Sequence, residues 1–190
     1  MGGNRQIAFT DPDQIALVEK LATDLRNRER IIIQGNSGAG KTTLMFSVLQ
    51  RVQTVSAIHV DRNSEAHFRG GLPPGYRVID IDSSRERLSK LPDLGAIDSF
   101  SVCELRMSED AESLPRFAEE WLISYWARGA GGIVTIIGSD DKDVATKSLR
   151  NAYPRLCALA TRYVYAKLVV RPDQHLFVED DAVLSVVSDN

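Results

Sequence analysis

The stretch Gly35-Asn36-Ser37-Gly38-Ala39-Gly40-Lys41-Thr42 constrains this chain more than any other. A β-branched run, Ile31-Ile32-Ile33, leads into it, and Leu44, Met45, Val48, Leu49 and Val52 follow at helical spacing. Strand, glycine-rich loop and helix in that order match the Walker A pattern in the context it requires. The glycines let the backbone curl so that successive amide hydrogens converge on phosphate oxygens. A helix starting near Lys41 turns its positive dipole end toward the same anion. In a loop of this kind Lys41 reaches the β and γ phosphates of a nucleotide, and the Thr42 hydroxyl is placed to hold Mg2+.

The remainder of the chain fits a single domain. Its 190 residues suit one α/β core and leave little room for a second. Asp11 can cap a helix with Pro12 in its first turn, and Ile15, Val18, Leu21, Ala22 and Leu25 form one face, which predicts a helix over about 11–26. Short strands are expected at 57–60, 76–81, 100–105 and 132–137, with helices near 84–91, 112–128 and 143–160. Strands alternating with helices imply a mostly parallel sheet. The carboxyl end changes character: Tyr163 to Val170, a turn at Arg171-Pro172-Asp173-Gln174, and His175 to Val178 read as an antiparallel hairpin within about 163–187. Phe117, Trp121, Leu122, Tyr125 and Trp126 are expected to be core, and Cys103 and Cys157 to be buried reduced thiols.

Charge and hydropathy exclude several partners. Lys plus Arg number 23 against 26 Asp plus Glu, so no basic surface argues for nucleic acid. No apolar run approaches the roughly 20 residues that span a bilayer, and the amino terminus lacks the apolar core of a secretory signal. A cytoplasmic protein, peripheral to a membrane at most, is the expectation.

A nucleotide loop still needs an acid. The segment Asp98-Ser99-Phe100-Ser101-Val102-Cys103-Glu104-Leu105-Arg106 offers a strand ending in a carboxylate, where a Walker B acid would approach metal or attacking water. Together these segments resemble the ATPase domain of the secretion ATPase superfamily, the type II and type IV secretion motors that also drive pilus assembly and conjugation. Thr43 after Thr42 is close to that family's phosphate loop, and Asp61-Arg62-Asn63-Ser64-Glu65 is similar to its aspartate box. Asp98, Glu104, Leu105-Arg106 and Glu109 fall in its Walker B pattern. The resemblance implies a RecA-like P-loop NTPase fold that binds ATP and Mg2+, with Glu104 polarising the attacking water and Lys41 on the phosphates. It further implies Thr42, Asp61 and Glu65 around the metal, and a homo-oligomeric ring acting on protein components of a secretion or pilus machine. Arg62, Arg69, Arg77 and Arg106 are the arginines that could complete a neighbouring subunit's site; Arg62 also departs from the family, which has an acid there.

The segment Gly129-Ala130-Gly131-Gly132-Ile133-Val134-Thr135-Ile136-Ile137-Gly138 sits where the family has its histidine box. Ala130 and Gly138 occupy both histidine positions and Ile133 a serine position, while His59, His67 and His175 lie elsewhere. A lost polar contact to developing phosphate charge removes about 10²- to 10³-fold in rate. Two other readings therefore stand beside the motor: a nucleotide-sensing adaptor with little turnover, and a P-loop small-molecule kinase. The kinase needs an arginine-bearing lid, and the segment Arg128 to Lys142 has arginine only at its start.

Overall fold

A computed structural model describes residues 12–54, 56–61, 65–68, 70–80, 96–105, 115–168 and 175–179. Helix α1 (Pro12–Arg26) precedes strand β1 (Arg30–Gly35) and helix α2 (Lys41–Leu49). Then come β2 (Ala57–Asp61), α3 (Glu65–Phe68), β3 (Tyr76–Asp80), β4 (Ser99–Leu105) and α4 (Pro115–Ala127). The chain continues with β5 (Gly132–Ile137), α5 (Lys142–Ala152), α6 (Pro154–Leu159), β6 (Arg162–Leu168) and β7 (His175–Glu179). The strands form one sheet in the order β3-β2-β4-β5-β1-β6-β7. The first six strands are mutually parallel, and β7 closes the edge antiparallel to β6, with Leu168 opposite His175 and Val164 opposite Glu179. The terminal hairpin expected from sequence is thus present, and its first strand also pairs in parallel with β1.

Both faces of the sheet are covered, which is why its central strands read as continuous apolar runs rather than alternating ones. Along β1, Ile31 and Ile33 face a cluster with Val18, Leu21 and Leu25 of α1 and Leu44, Val48 and Leu49 of α2. Ile32 faces the other way, into a cluster with Leu122 and Trp126 of α4, Leu149 of α5 and Leu156 of α6. Of the aromatic stripe, Leu122, Tyr125 and Trp126 are core and Trp121 packs against it partly buried; Trp126 is fully buried and its indole N–H donates to the Phe100 carbonyl at 3.1 Å. Both cysteines are buried free thiols.

The helix expected across 143–160 is two helices. It breaks at Tyr153 (φ −131°, ψ 54°), and Pro154 opens α6. Proline has no N–H to continue the ladder and its ring clashes with the preceding turn, so the residue before it leaves the helical region. The expected helix over 84–91, the capping residue Asp11 and the hairpin turn at 171–174 lie outside the described residues. Among the described residues no helix is long and apolar enough to cross a membrane.

Candidate nucleotide site

In an open parallel sheet, ligands bind beyond the carboxyl ends of the strands. Here four such ends carry the candidate residues: Gly35 ends β1, Asp61 ends β2, Glu104 lies next to the end of β4, and Gly138 follows β5. A hydrogen bond from the Gly138 N–H to the Gly35 carbonyl, 2.9 Å, ties the β5 exit to the start of the loop.

The loop itself is built from left-handed glycines. Gly38 (φ 78°) and Gly40 (φ 84°) adopt a conformation that side chains disfavour, and Gly40 stands at the N-cap of α2, where it offers no side-chain cap. The first amides of a helix have no carbonyl of their own helix to bond, the arrangement that binds phosphate at helix ends. Within the loop the Lys41 ammonium donates to the Asn36 carbonyl at 2.7 Å, the Ala39 N–H donates to the same oxygen at 3.2 Å, and the Asn36 side chain accepts the Ser37 N–H at 2.7 Å. Lys41 is 6% exposed. Burial pulls its ammonium below the ordinary lysine value, and the negative charge of Glu104 pushes back. A buried cation at the start of a helix, beside a glycine-rich loop, is suited to a polyphosphate.

Glu104 reaches this position through a break in its strand. Val102 pairs with Val134 and Leu105 with Ile136, so Cys103 and Glu104 together oppose Thr135. That is a β-bulge, which inserts one extra residue and re-aims its side chain. Val102 and Leu105 lie in the cluster on the α4 face, Cys103 in that on the α2 face. Without the bulge, alternation would turn Glu104 into the apolar α4-side core; with it, Glu104 is partly exposed at the strand end. Its φ is +61°. Arg28 is the other non-glycine with positive φ among the described residues, and it sits in the turn ending α1, where that conformation is ordinary. Glu104 has no helix end to explain it, and a left-handed non-glycine residue costs about 1 kcal/mol or more. Its backbone N–H donates to the Thr135 hydroxyl oxygen at 2.7 Å.

The remaining site residues gather around Cys103, whose side chain shares a hydrogen bond with Thr42. Burial first, then the charges of Asp61, Glu65 and Glu104, push the Cys103 thiol up to about 12, so it stays a neutral thiol. Asp61 is 1% exposed and its Oδ2 accepts the Ala66 N–H at 2.8 Å, fixing the start of α3; Glu65 is the first residue of that helix. Among the described residues no three His, Cys, Asp or Glu side chains converge on a metal position. Mg2+ beside a nucleotide needs no such cage, because water and phosphate oxygens complete its octahedron around one or two protein ligands. The donor set of one hydroxyl with nearby carboxylates fits it.

Sequence reasoning placed Gly35 through Thr43, Asp61, Glu65 and Glu104 in the site, and the fold brings them to one edge of the sheet. Arg62, Arg69 and Arg106 lie outside the described residues, and Arg77 is exposed on the edge strand β3. Asp98 is elsewhere. It precedes β4, about 20 Å from Glu104 at the other end of the strand, and pairs with Arg28 at 2.8 Å. Two residues were missed. Thr135 lies inside the histidine-box segment, where the absent histidines drew attention away from it. His59 is fully buried beneath α2, its ring edge-on to Phe46 at 5.2 Å and its Nε2 4.0 Å from Asp61 Oδ1. Neither of its ring nitrogens has a hydrogen-bond partner, and burial drops its pKa to about 3.

The histidine-box positions are packed. Ala130 is buried at the amino end of β5, remote from the loop, where its N–H bonds to the Tyr125 carbonyl. Ile133 is fully buried in the α1/α2 cluster. Gly138 alone adjoins the loop, and a Cβ there would stand 2.8 Å from Nε2 and 2.9 Å from Cγ of Gln34. Gln34 is fully buried and held at both ends: it accepts the Tyr163 hydroxyl at 2.7 Å and donates to the Ala145 carbonyl at 3.0 Å. The segment considered for a kinase lid, Arg128 to Lys142, has the interior strand β5 at its centre.

No protein-family model and no curated protein matches the sequence. Solved structures do. The VirB11 ATPase from the Brucella suis type IV secretion system, in complex with sulphate, is similar over 98% of this chain and 60% of its own, at TM-score 0.58 and 17% identity. The Yersinia pseudotuberculosis ATPase DotB is similar over 94% of this chain and 49% of its own, at TM-score 0.55 and 11% identity. This chain therefore spans between half and three fifths of the length of either. At these identities the likeness is one of fold, and the fold of this chain is that of a RecA-like P-loop ATPase.

Proposed function

We propose that this chain is a P-loop ATPase of the secretion-motor kind, which binds and hydrolyses Mg-ATP in a ring of identical subunits and couples the cycle to moving or assembling partner proteins. The observation that carries the reading is the loop of left-handed glycines with the buried Lys41 at the start of its helix, beside a bulged strand whose Glu104 is near enough for its charge to act on that ammonium. The loop amides and Lys41 bind the phosphates, and Gly35 through Thr43 form the nucleotide site. Thr42, with Asp61 and Glu65, holds Mg2+, which when bound neutralises phosphate charge. Glu104 takes a proton from a water whose oxygen attacks the γ phosphorus; the bond from that phosphorus to the bridging oxygen breaks, and ADP leaves with the electron pair. Arg62 and Arg106 are the candidate contacts to a neighbour's nucleotide.

Packing at Gly138 favours a second reading, a nucleotide-sensing adaptor that binds ATP with little turnover, because no side chain there can reach developing phosphate charge. Measuring ATP affinity and steady-state phosphate release for the native chain and Lys41→Ala tests both. Loss of one charge-assisted contact set weakens binding about 10- to 100-fold. Equal affinity in the two proteins overturns nucleotide binding at this loop; tight binding with no phosphate release selects the sensor.

A further inference from the structure

We propose that Thr135 is a positioning residue for Glu104, holding the carboxylate at the phosphate site through a hydrogen bond to the glutamate's backbone amide. The bulge removes one residue of β4 from the ladder with β5, since Cys103 and Glu104 together face the single residue Thr135. An amide displaced from a ladder in a buried sheet needs another acceptor or incurs the cost of an unpaired donor. Thr135 supplies that acceptor from the opposing strand: its side chain is fully buried, and Oγ1 receives the Glu104 N–H at 2.7 Å. Neighbouring registers are fixed on both sides, Val102 to Val134 and Leu105 to Ile136, so the threonine hydroxyl stands at the centre of the irregularity. Of the described residues in β5, Thr135 is the one whose side chain carries a hydrogen-bond acceptor, in a strand otherwise made of Gly132, Ile133, Val134, Ile136 and Ile137. An apolar residue would pack as well at this position, and the hydroxyl is explained by the amide it receives.

The consequence is specific to the left-handed backbone at Glu104. A non-glycine residue leaves φ near +60° unless its surroundings hold it there. The Thr135 bond fixes the amide side of that residue, and the direction of the carboxylate follows from it. The kinetic part of this inference rests on the hydrolytic role proposed for Glu104; the structural part does not.

The test compares Thr135→Val, which keeps the branched shape and removes the acceptor, with Thr135→Ser, which keeps the acceptor. In 15N-labelled protein without nucleotide, the Glu104 amide should exchange with solvent about tenfold faster in Thr135→Val, the equivalent of one net hydrogen bond lost. Thr135→Ser should retain native protection. With Mg-ATP, kcat should fall about tenfold or more in Thr135→Val with KM little changed, as expected when a reacting group is misplaced rather than removed, and serine should restore it. Thr135→Ala gives the same amide readout should valine not be tolerated. Native protection of the Glu104 amide in the variants lacking the hydroxyl overturns the inference. A native chain that releases no phosphate overturns the hydrolytic reading instead, and the amide measurement still decides the role of Thr135.

Discussion

The phosphate loop and the end of β5 are neighbours joined by the bond from Gly138 to Gly35, and they have settled opposite demands. On the loop side the chain keeps groups that cost stability. Lys41 is buried with its ammonium disfavoured, Glu104 sits in a left-handed backbone, and His59 lies under α2 with both ring nitrogens unpaired. On the β5 side the chain is closely packed: Ala130 and Ile133 are core, and Gly138 lies against a doubly bonded Gln34. Strain and buried polarity concentrate where a site must be pre-organised, and positions released from that task relax into the core. A larger side chain at 138 would need space that Gln34 occupies.

Three substitutions probe this contrast. The largest effect is expected for Glu104→Gln, which leaves the loop and its shape in place but removes the proposed base. ATP hydrolysis should fall about 10²-fold or more while nucleotide affinity, read by calorimetry, stays near native. Unchanged hydrolysis would show that the bulge is not catalytic and would erase the contrast from the loop side. Next is Gly138→His, which puts a polar ring beside the loop. It must displace Gln34 from two buried hydrogen bonds, so stability in urea should drop by about 2 to 3 kcal/mol, with no gain in phosphate release. A stable Gly138→His protein with faster turnover would mean that the β5 end is still open to catalytic use. The smallest change is expected for His59→Leu. Removing unpaired nitrogens from a buried site should raise stability by about 1 kcal/mol, seen as a higher urea midpoint at neutral pH. A loss of stability instead would mean that the imidazole has a role in packing the loop side that its missing partners conceal.

Much of the fold was legible because its signals are local and periodic. The run Ile31-Ile32-Ile33, the glycines of the loop and the helical spacing after Thr42 announce strand, loop and helix with few alternatives. The break at Tyr153-Pro154 was also written in the sequence, and the apolar periodicity on either side hid it. The site was legible to the extent that it rides on such signals: Gly35 to Thr42 outright, and Glu104 as the carboxylate closing a strand. Asp98 shows the limit, since its spacing to Glu104 matches a motif while the strand between them carries it to the opposite pole. Thr135 shows the converse, because nothing in its neighbourhood along the chain marks a threonine in an apolar strand as the acceptor for an amide 31 positions away.

Sequence by itself determined that this chain forms a parallel α/β sheet with a phosphate loop at the carboxyl end of one strand, because backbone freedom at glycine and the period of apolar residues act over a few positions. Tertiary structure alone decided which carboxylate lies near Lys41, that a bulge opposite Thr135 brings it there, and that Gln34 fills the space beside Gly138. Those outcomes depend on register between strands distant in sequence and on the volume left between them, and neither quantity exists until the sheet has assembled.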